Sequence, residues 1–357
     1  MIGTIGPDPA RRGPDPAAFA QSAPTPDRPL RPPHRTKQTR MWHSVGMSGA
    51  SYALEPDSTT LHGYFSRDIA PVLTIDPGDS VRFRTLDCWW SSGRFTGGHF
   101  PDRPRVEQYS EGVGHALIGP VAVRGARPGM TLEVRIDAVV PATWGTTVAG
   151  GWPSALNKRY GIEHDGVVHT WELDPAAMTG RNQHGHTVTL RPFMGIMGMP
   201  PAEHGQHSTI PPRWHGGNLD CKELVPGSRL YLPVPVDDAL FSVGDGHAAQ
   251  GDGEVSGTAI ECPMDRVELT FALHDDLLLT TPIARTPAGW IVMGLGETVD
   301  EAAFQALEAM FALLGREYGI ERCDAIALSS VAVDLRVTQI VNQVVGVHAV
   351  LAPDAIW

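Results

Sequence analysis

Val72-Leu73-Thr74-Ile75, then Asp76-Pro77-Gly78-Asp79, then Ser80-Val81-Arg82-Phe83-Arg84-Thr85-Leu86 is the stretch that decides the fold class. Its first four residues are apolar or β-branched, the composition of a strand. The Pro-Gly pair marks a turn, because proline presets φ and glycine accepts a positive φ. The last seven residues alternate polar and apolar, as a strand with one buried face should. The same order recurs in Pro120-Val121-Ala122-Val123, a turn at Ala126-Arg127-Pro128-Gly129, and Thr131-Leu132-Glu133-Val134-Arg135-Ile136. Each unit predicts a β-hairpin or a sandwich element.

Outward from these units, Arg229–Val234, Ala239–Val243, Gly257–Ile260 and Val267–Leu273 extend the series of strands. Residues 144–214 are rich in Gly, Pro, His and Trp with weak periodicity, so long loops with short strands such as His186–Leu190 are expected. One helix stands out. Thr298 and Glu301 form a capping box, Phe304, Leu307, Met310, Phe311 and Leu314 follow a 3.6-residue period, and Gly315 or Gly319 can close it. Ala325–Leu351 reads as a second helix mixed with a strand. The fold class is therefore mainly β, a β-sandwich-like core with an α+β C-terminal elaboration.

Composition narrows the function classes. The 357 residues include 39 Gly and 31 Pro, which disfavours a helical bundle. Nine prolines fall between Pro7 and Pro33, where seven Lys/Arg face three Asp. Residues 1–45 thus read as a disordered Pro/Arg-rich extension of net charge +4, leaving −16 of the total −12 to the rest. Arg11-Arg12 has no apolar run after it and is not an export signal; Met41 and Met47 are alternative starts. Residues 46–357 read as one catalytic body, with a point of subdivision near 225–265. An acidic body disfavours nucleic acid, and no apolar run reaches the length of a membrane span. Cys88, Cys221, Cys262 and Cys323 form no CxxC pair, which fits a reducing, cytoplasmic compartment.

The densest polar cluster is Gly244-Asp245-Gly246-His247-Ala248-Ala249-Gln250-Gly251-Asp252-Gly253-Glu254. Its glycines let the backbone approach a ligand, and its mixed O and N donors suit a divalent ion. It has neither EF-hand nor HExxH spacing. A Gly/Asp-rich turn that satisfies its own backbone is an equal alternative. Asp220, in Gly216-Gly217-Asn218-Leu219-Asp220, is a candidate ligand, base or Asx-turn acceptor. Asp87 ends an apolar strand before Trp89-Trp90. His62, His115 and Glu261 complete the candidates; Glu261 interrupts an apolar strand, and a carboxylate there needs a partner. No Ser-Ser-Lys arrangement, GxSxG elbow or cysteine-hydrolase context is present.

These strings resemble the acetamidase/formamidase family. Leu230–Val234, Leu240–Glu254 ending at Glu261, Gly217–Asp220, Gly119–Val121, Gly125–Gly129 and Ile75–Val81 followed by Asp87 carry the likeness, over roughly residues 58–352. Met130 departs from the acidic residue usual after Pro-Gly. The resemblance implies hydrolysis of short aliphatic amides, formamide and acetamide, to carboxylate and ammonia. A metal-activated water would supply the nucleophile, with zinc first and manganese or calcium as alternatives. The expected metal set has Asp87, Asp220 and His247 at its core, with His62, His115 and Asp245 as further candidates. Glu261 or Glu254 would serve as base and proton shuttle, and Asn218 would hold the oxyanion. The expected partner is a small amide, with a homo-oligomeric assembly. Another linear or cyclic amide or carbamate as substrate, and a non-catalytic small-molecule-binding β protein, stay open as alternatives.

Overall fold

A computed structural model describes residues 49–356; the extension expected over 1–45 lies outside the described residues. The first strand–turn–strand unit is a corner between two sheets, and not a hairpin. Leu73–Ile75 lies parallel to Leu117–Val123, whereas Ser80–Thr85 runs antiparallel to Met264–His274. The turn explains the correction. Asp79 N–H donates to Asp76 O across Pro77 and Gly78, and Gly78 has φ 104°. Proline first and a positive-φ glycine second make a type II turn, whose twist splays strands instead of pairing them. The second unit behaves alike: Met130 N–H donates to Arg127 O with Gly129 at φ 91°, and Thr131–Pro141 leaves the sheet of Leu117–Val123.

The larger sheet runs in the order Ser51–Leu54, Ser80–Thr85, Met264–His274, Thr131–Pro141, Arg229–Pro233, Ile283–Thr286, Gly289–Gly296, Val345–Leu351, Val333–Gln339. The second runs Gly216–Asn218, Phe193–Gly198, Phe241–His247, Leu117–Val123, Leu61–His62. One apolar core joins the two. Phe241 of the second sheet meets Phe271 of the first edge-to-face, with ring centroids 5.2 Å apart. A buried aromatic pair of this kind adds about 0.5–1.5 kcal/mol beyond its area. The β-sandwich-like architecture read from the sequence therefore holds.

Residues 144–214 contain more strand than the sequence pattern suggests. Trp144–Ala149, Val167–Asp174, Thr179–Asn182 and Thr187–Thr189 make a four-stranded antiparallel sheet. Its buried positions are filled by Gly145, Thr146, Gly180 and Asn182 as well as by Trp171 and Leu173, so burial alternates where hydrophobicity does not. Conversely, Gly257–Ile260 is an irregular segment that exchanges only the Ala248–Ile260 and Ile260–Ala249 backbone hydrogen bonds with its neighbour.

The expected helix is Val299–Tyr318, capped by the Thr298 hydroxyl, which accepts from Glu301 N–H, and closed by Gly319 at φ 67°. Its buried face is Ala302, Ala306, Met310, Leu313 and Leu314, while Phe304 stays 71% exposed. Met310 and Leu314 of the expected stripe are buried and Leu307 and Phe311 half-buried, while Phe304 faces solvent and Ala302 and Ala306 pack in its place. A Cβ on Gly294 would lie 1.9 Å from Ala302 O, so helix and strand touch backbone to backbone. Arg322–Ala332 then forms a second helix, followed by the two C-terminal strands.

Candidate active site

Phe241–His247 is flanked by strands on both sides and buried along its whole length. It therefore delivers Asp245 and His247 into a space closed to water. Glu261 arrives from a segment pinned between two strands: it bridges His247 on one side and Thr146 of the four-stranded sheet on the other. Asp220 follows the short strand Gly216–Asn218, and Glu254 follows the glycine-rich loop. Asp220, Asp245 and Glu254 have φ of 47°, 58° and 48°, a region that non-glycine residues seldom enter and that is retained where surroundings enforce it.

His247 is the hub. Gln250 Nε2 donates to the backbone carbonyl of Asp220 at 2.9 Å, which turns Gln250 Oε1 toward His247 Nδ1 at 2.8 Å. Nδ1 must then carry the proton, so in the neutral ring the lone pair sits on Nε2. Nε2 faces Glu261 Oε2 at 3.1 Å and Asp245 Oδ1 at 3.3 Å, and neither contact is aligned as a hydrogen bond. Asp220 Oδ1 lies 3.8 Å from Nδ1, and its other oxygen accepts from Asn342 Nδ2.

The electrostatics are lopsided. Four carboxylates surround one imidazole in a buried space. Burial pushes Asp220 up to about 7, and pushes Glu254 well above the usual carboxylate range with the Asp220 charge adding to it. Glu261 is also raised by burial, against the pull of His247. Asp245 goes the other way: burial would raise it, but the charges of His247 and His115 hold it low. Burial opposes an imidazolium at His247, yet Glu261 and Asp245 outweigh it and lift its pKa. The five groups cannot all be ionised without a further positive charge.

This supports a cation fit. Asp245 Oδ1, His247 Nε2 and Glu261 Oε2 are buried without hydrogen-bond partners, as are Asp220 Oδ1 and Glu254 Oε2. Two ligands about 2.0–2.1 Å from a tetrahedral ion stand roughly 3.3 Å apart, close to the two Nε2 distances. Cys88, Asp245 and Glu261 form one group of ligand-type atoms within 4.8 Å of one another, and Asp220, His247 and Glu254 form another. The His247 Nδ1–H to Gln250 contact matches the arrangement that orients metal-binding imidazoles.

The remaining sequence candidates make their hydrogen bonds elsewhere. His62 bonds Tyr64 O and the Ser242 hydroxyl, and burial lowers its pKa to about 4. His115 bonds Thr209 Oγ1. Asp87, raised by burial, accepts from Ser91 N–H and leaves Oδ2 unpaired. Asn218 Nδ2 is spent on Ile210 O. Sequence reading missed four contributors. Cys88 offers the sequence a thiol nucleophile and not a ligand, and Gln250 lies inside the Gly244–Glu254 string with no ionisable group to flag it. Asn342 lies about 120 residues away from Asp220, on the C-terminal turn. Gly195 had a signal, a glycine inside an apolar strand. A Cβ there would meet Asp220 Oδ1 at 2.5 Å, Asp245 Oδ2 at 2.7 Å and His247 Cε1 at 3.0 Å.

A cleft of about 400 Å³ opens beside this cluster. It runs between Trp171 and Val188 of the four-stranded sheet and the loop 249–260, and both Gln250 and Glu254 line it.

The acetamidase/formamidase family profile matches residues 50–207 and 202–357. The chain belongs to this family. It is 28% identical to the formamidase of Methylophilus methylotrophus over 246 residues, 55% of this chain and 60% of that one. It is 26% identical to the acetamidase of Mycolicibacterium smegmatis over 252 residues, 55% of this chain and 61% of that one. The chain thus spans about 60% of the length of these curated relatives. The crystal structure of an acetamidase from Bacillus halodurans superposes with a TM-score of 0.75 at 28% identity, covering 84% of this chain and 97% of that one. Among the described residues, no helix is long and apolar enough to cross a membrane.

Proposed function

We propose that this chain hydrolyses the C–N bond of short aliphatic amides, formamide and acetamide, releasing a carboxylate and ammonia. Family membership supports the reaction class, and the observation that carries the site is the meeting of four buried carboxylates at His247. Asp245, His247 Nε2 and Glu261 would hold a divalent cation, zinc first by their O and N donors, with Cys88 within reach. When bound, such an ion polarises a carbonyl and lowers the pKa of water to about 7. The protein residues do the rest. Asp220, titrating near neutrality, takes the proton of the attacking water. Glu254, whose carboxyl burial and the Asp220 charge push well above the usual range, donates to the departing nitrogen. Gln250 and Asn342 fix the orientations of His247 and Asp220.

The same reading places the enzyme in the cytoplasm as a homo-oligomer, with 46–357 as one body and the Pro/Arg-rich stretch as an appendage. Ammonia release from formamide and acetamide, followed in metal-replete protein, after exhaustive chelation and after zinc return, tests the assignment. Activity should vanish and come back. Undiminished turnover in metal-free protein would remove the cation, and no ammonia from any primary amide would remove the activity.

A further inference from the structure

Cys221 is buried and takes no part in the chemistry proposed above. It belongs to a second group of ligand-type side chains that begins directly after Asp220 in the chain. Cys221, Glu223 and His348 each offer one such atom, and the three atoms lie within 4.8 Å of one another. All three residues are closed to solvent.

Their spacing is that of a coordination shell. Glu223 Oε2 stands 3.2 Å from His348 Nε2 and accepts from the Cys221 thiol at 3.5 Å. Bonds to zinc of about 2.0–2.1 Å for N and O and about 2.3 Å for S put tetrahedral neighbours roughly 3.3 and 3.5 Å apart. His348 Nε2 is buried and has no hydrogen-bond partner, although a carboxylate oxygen faces it. A buried ring nitrogen is seldom left so without a reason.

The surroundings fix the donors. Arg336 Nη1 donates to Glu223 Oε1 at 2.8 Å, which leaves Oε2 to the cluster. His348 Nδ1 stands 2.7 Å from Thr338 Oγ1. With the proton on Nδ1 and the hydroxyl as its acceptor, the lone pair of the ring sits on Nε2. Metal-binding imidazoles and carboxylates are held by outer hydrogen bonds of this kind.

We infer that Cys221, Glu223 and His348 form a structural zinc site, separate from the His247 cluster. A thiolate, an imidazole and a carboxylate suit zinc and disfavour calcium or magnesium, which take oxygen donors. Binding displaces the thiol proton to solvent, and one water completes the tetrahedron. Thiolate and carboxylate balance the two positive charges of the ion, while the Arg336 side chain, 36% exposed, keeps contact with water. The place of the ion in the fold gives it a role. His348 lies in Val345–Leu351 and Thr338 in Val333–Gln339, and the turn between these strands carries Asn342, which donates to Asp220. Zinc clamps the segment behind Asp220 onto the strands that hold Asn342. It braces that hydrogen bond without meeting substrate, and the site stands whether or not the chain hydrolyses amides.

The test exchanges zinc for cobalt in the full-length protein and reads thiolate-to-cobalt charge-transfer absorption, with zinc per chain counted by elemental analysis. Cys221→Ala should lose one zinc per chain and the absorption band, whereas Cys88→Ala should keep the band. The chain has four cysteines, so Cys88→Ser/Cys262→Ser/Cys323→Ser leaves Cys221 as its one thiol and serves where Cys221→Ala does not fold. That variant should keep the band. A cobalt-loaded wild type without the band would overturn the inference. So would a band or a zinc content unchanged in folded Cys221→Ala, or a band missing from the folded triple variant.

Discussion

Gly195→Ala puts one methyl at the crowded centre of the site. The new Cβ would lie 2.5 Å from Asp220 Oδ1, 2.7 Å from Asp245 Oδ2 and 3.0 Å from His247 Cε1. None of the three can step aside cheaply. Asp220 is held by Asn342, His247 by Gln250, and all are buried. Overpacking of this kind costs about 1–3 kcal/mol, so melting should drop by a few degrees. The catalytic loss should be larger than the stability loss. Relief of the clash needs shifts approaching 1 Å, and misplacement on that scale costs on the order of 100-fold in rate. The assay is kcat/KM for ammonia release alongside thermal melting, with Gly93→Ala as control, because a Cβ at Gly93 meets nothing within 4 Å. A folded Gly195→Ala enzyme with wild-type kcat/KM would refute placing the chemistry at the His247 cluster.

Glu254→Gln should lower kcat by about 10²–10⁴-fold, as loss of a proton donor does. It should not lower the melting temperature, because it replaces an unpaired buried acid by a neutral isostere; a folded variant with full kcat would reject Glu254 as the donor. Asn342→Ala strips Asp220 Oδ2 of its donor, costing about 1–3 kcal/mol, and should reduce kcat more than it changes KM; denaturant melts with steady-state kinetics would register a null effect. His215 is buried and its pKa is lowered to about 4, so the unfolded chain takes up its proton first. Its share of stability is complete above pH 6.5 and is lost as pH falls from 6.5 toward 4, reaching about 3 kcal/mol. His215→Asn should flatten the melting profile over that window, and a slope equal to the wild type's would show that the ring is not held neutral by the fold.

The strands around Asp76–Asp79 and Arg127–Met130 were readable because alternation and Pro-Gly turns are local signals. Their partners were not. Whether a Pro-Gly turn folds a chain back on itself or passes it to another sheet depends on turn twist and on strands far away. The four-stranded sheet leaves little periodicity in the sequence because Gly145, Thr146, Gly180 and Asn182 occupy buried positions where apolar side chains would mark a strand. Of the expected helix stripe only Phe304 faces solvent, and Ala302 and Ala306 pack beside Gly294 instead, a fact of contact and not of pattern.

Of the candidate residues, the Asp245–Glu254 string and Asp220 and Glu261 stood out in the sequence, since acids set among glycines or breaking an apolar run need a reason to be there. The sequence by itself determined the inventory: strands joined by Pro-Gly turns, an acidic body, and five ligand-type side chains within about forty residues. Only tertiary structure decided that these gather around one imidazole, with Asp245 and Glu261 at Nε2 and Asp220 on the Nδ1 side, that Gln250 sets which nitrogen carries the proton, that Asn342 and Gly195 complete the arrangement, and that His62, His115, Asp87 and Asn218 bond elsewhere. The reason is physical. A side chain's chemistry depends on which groups lie within about 4 Å and on whether water reaches it, and neither is carried by position along the chain.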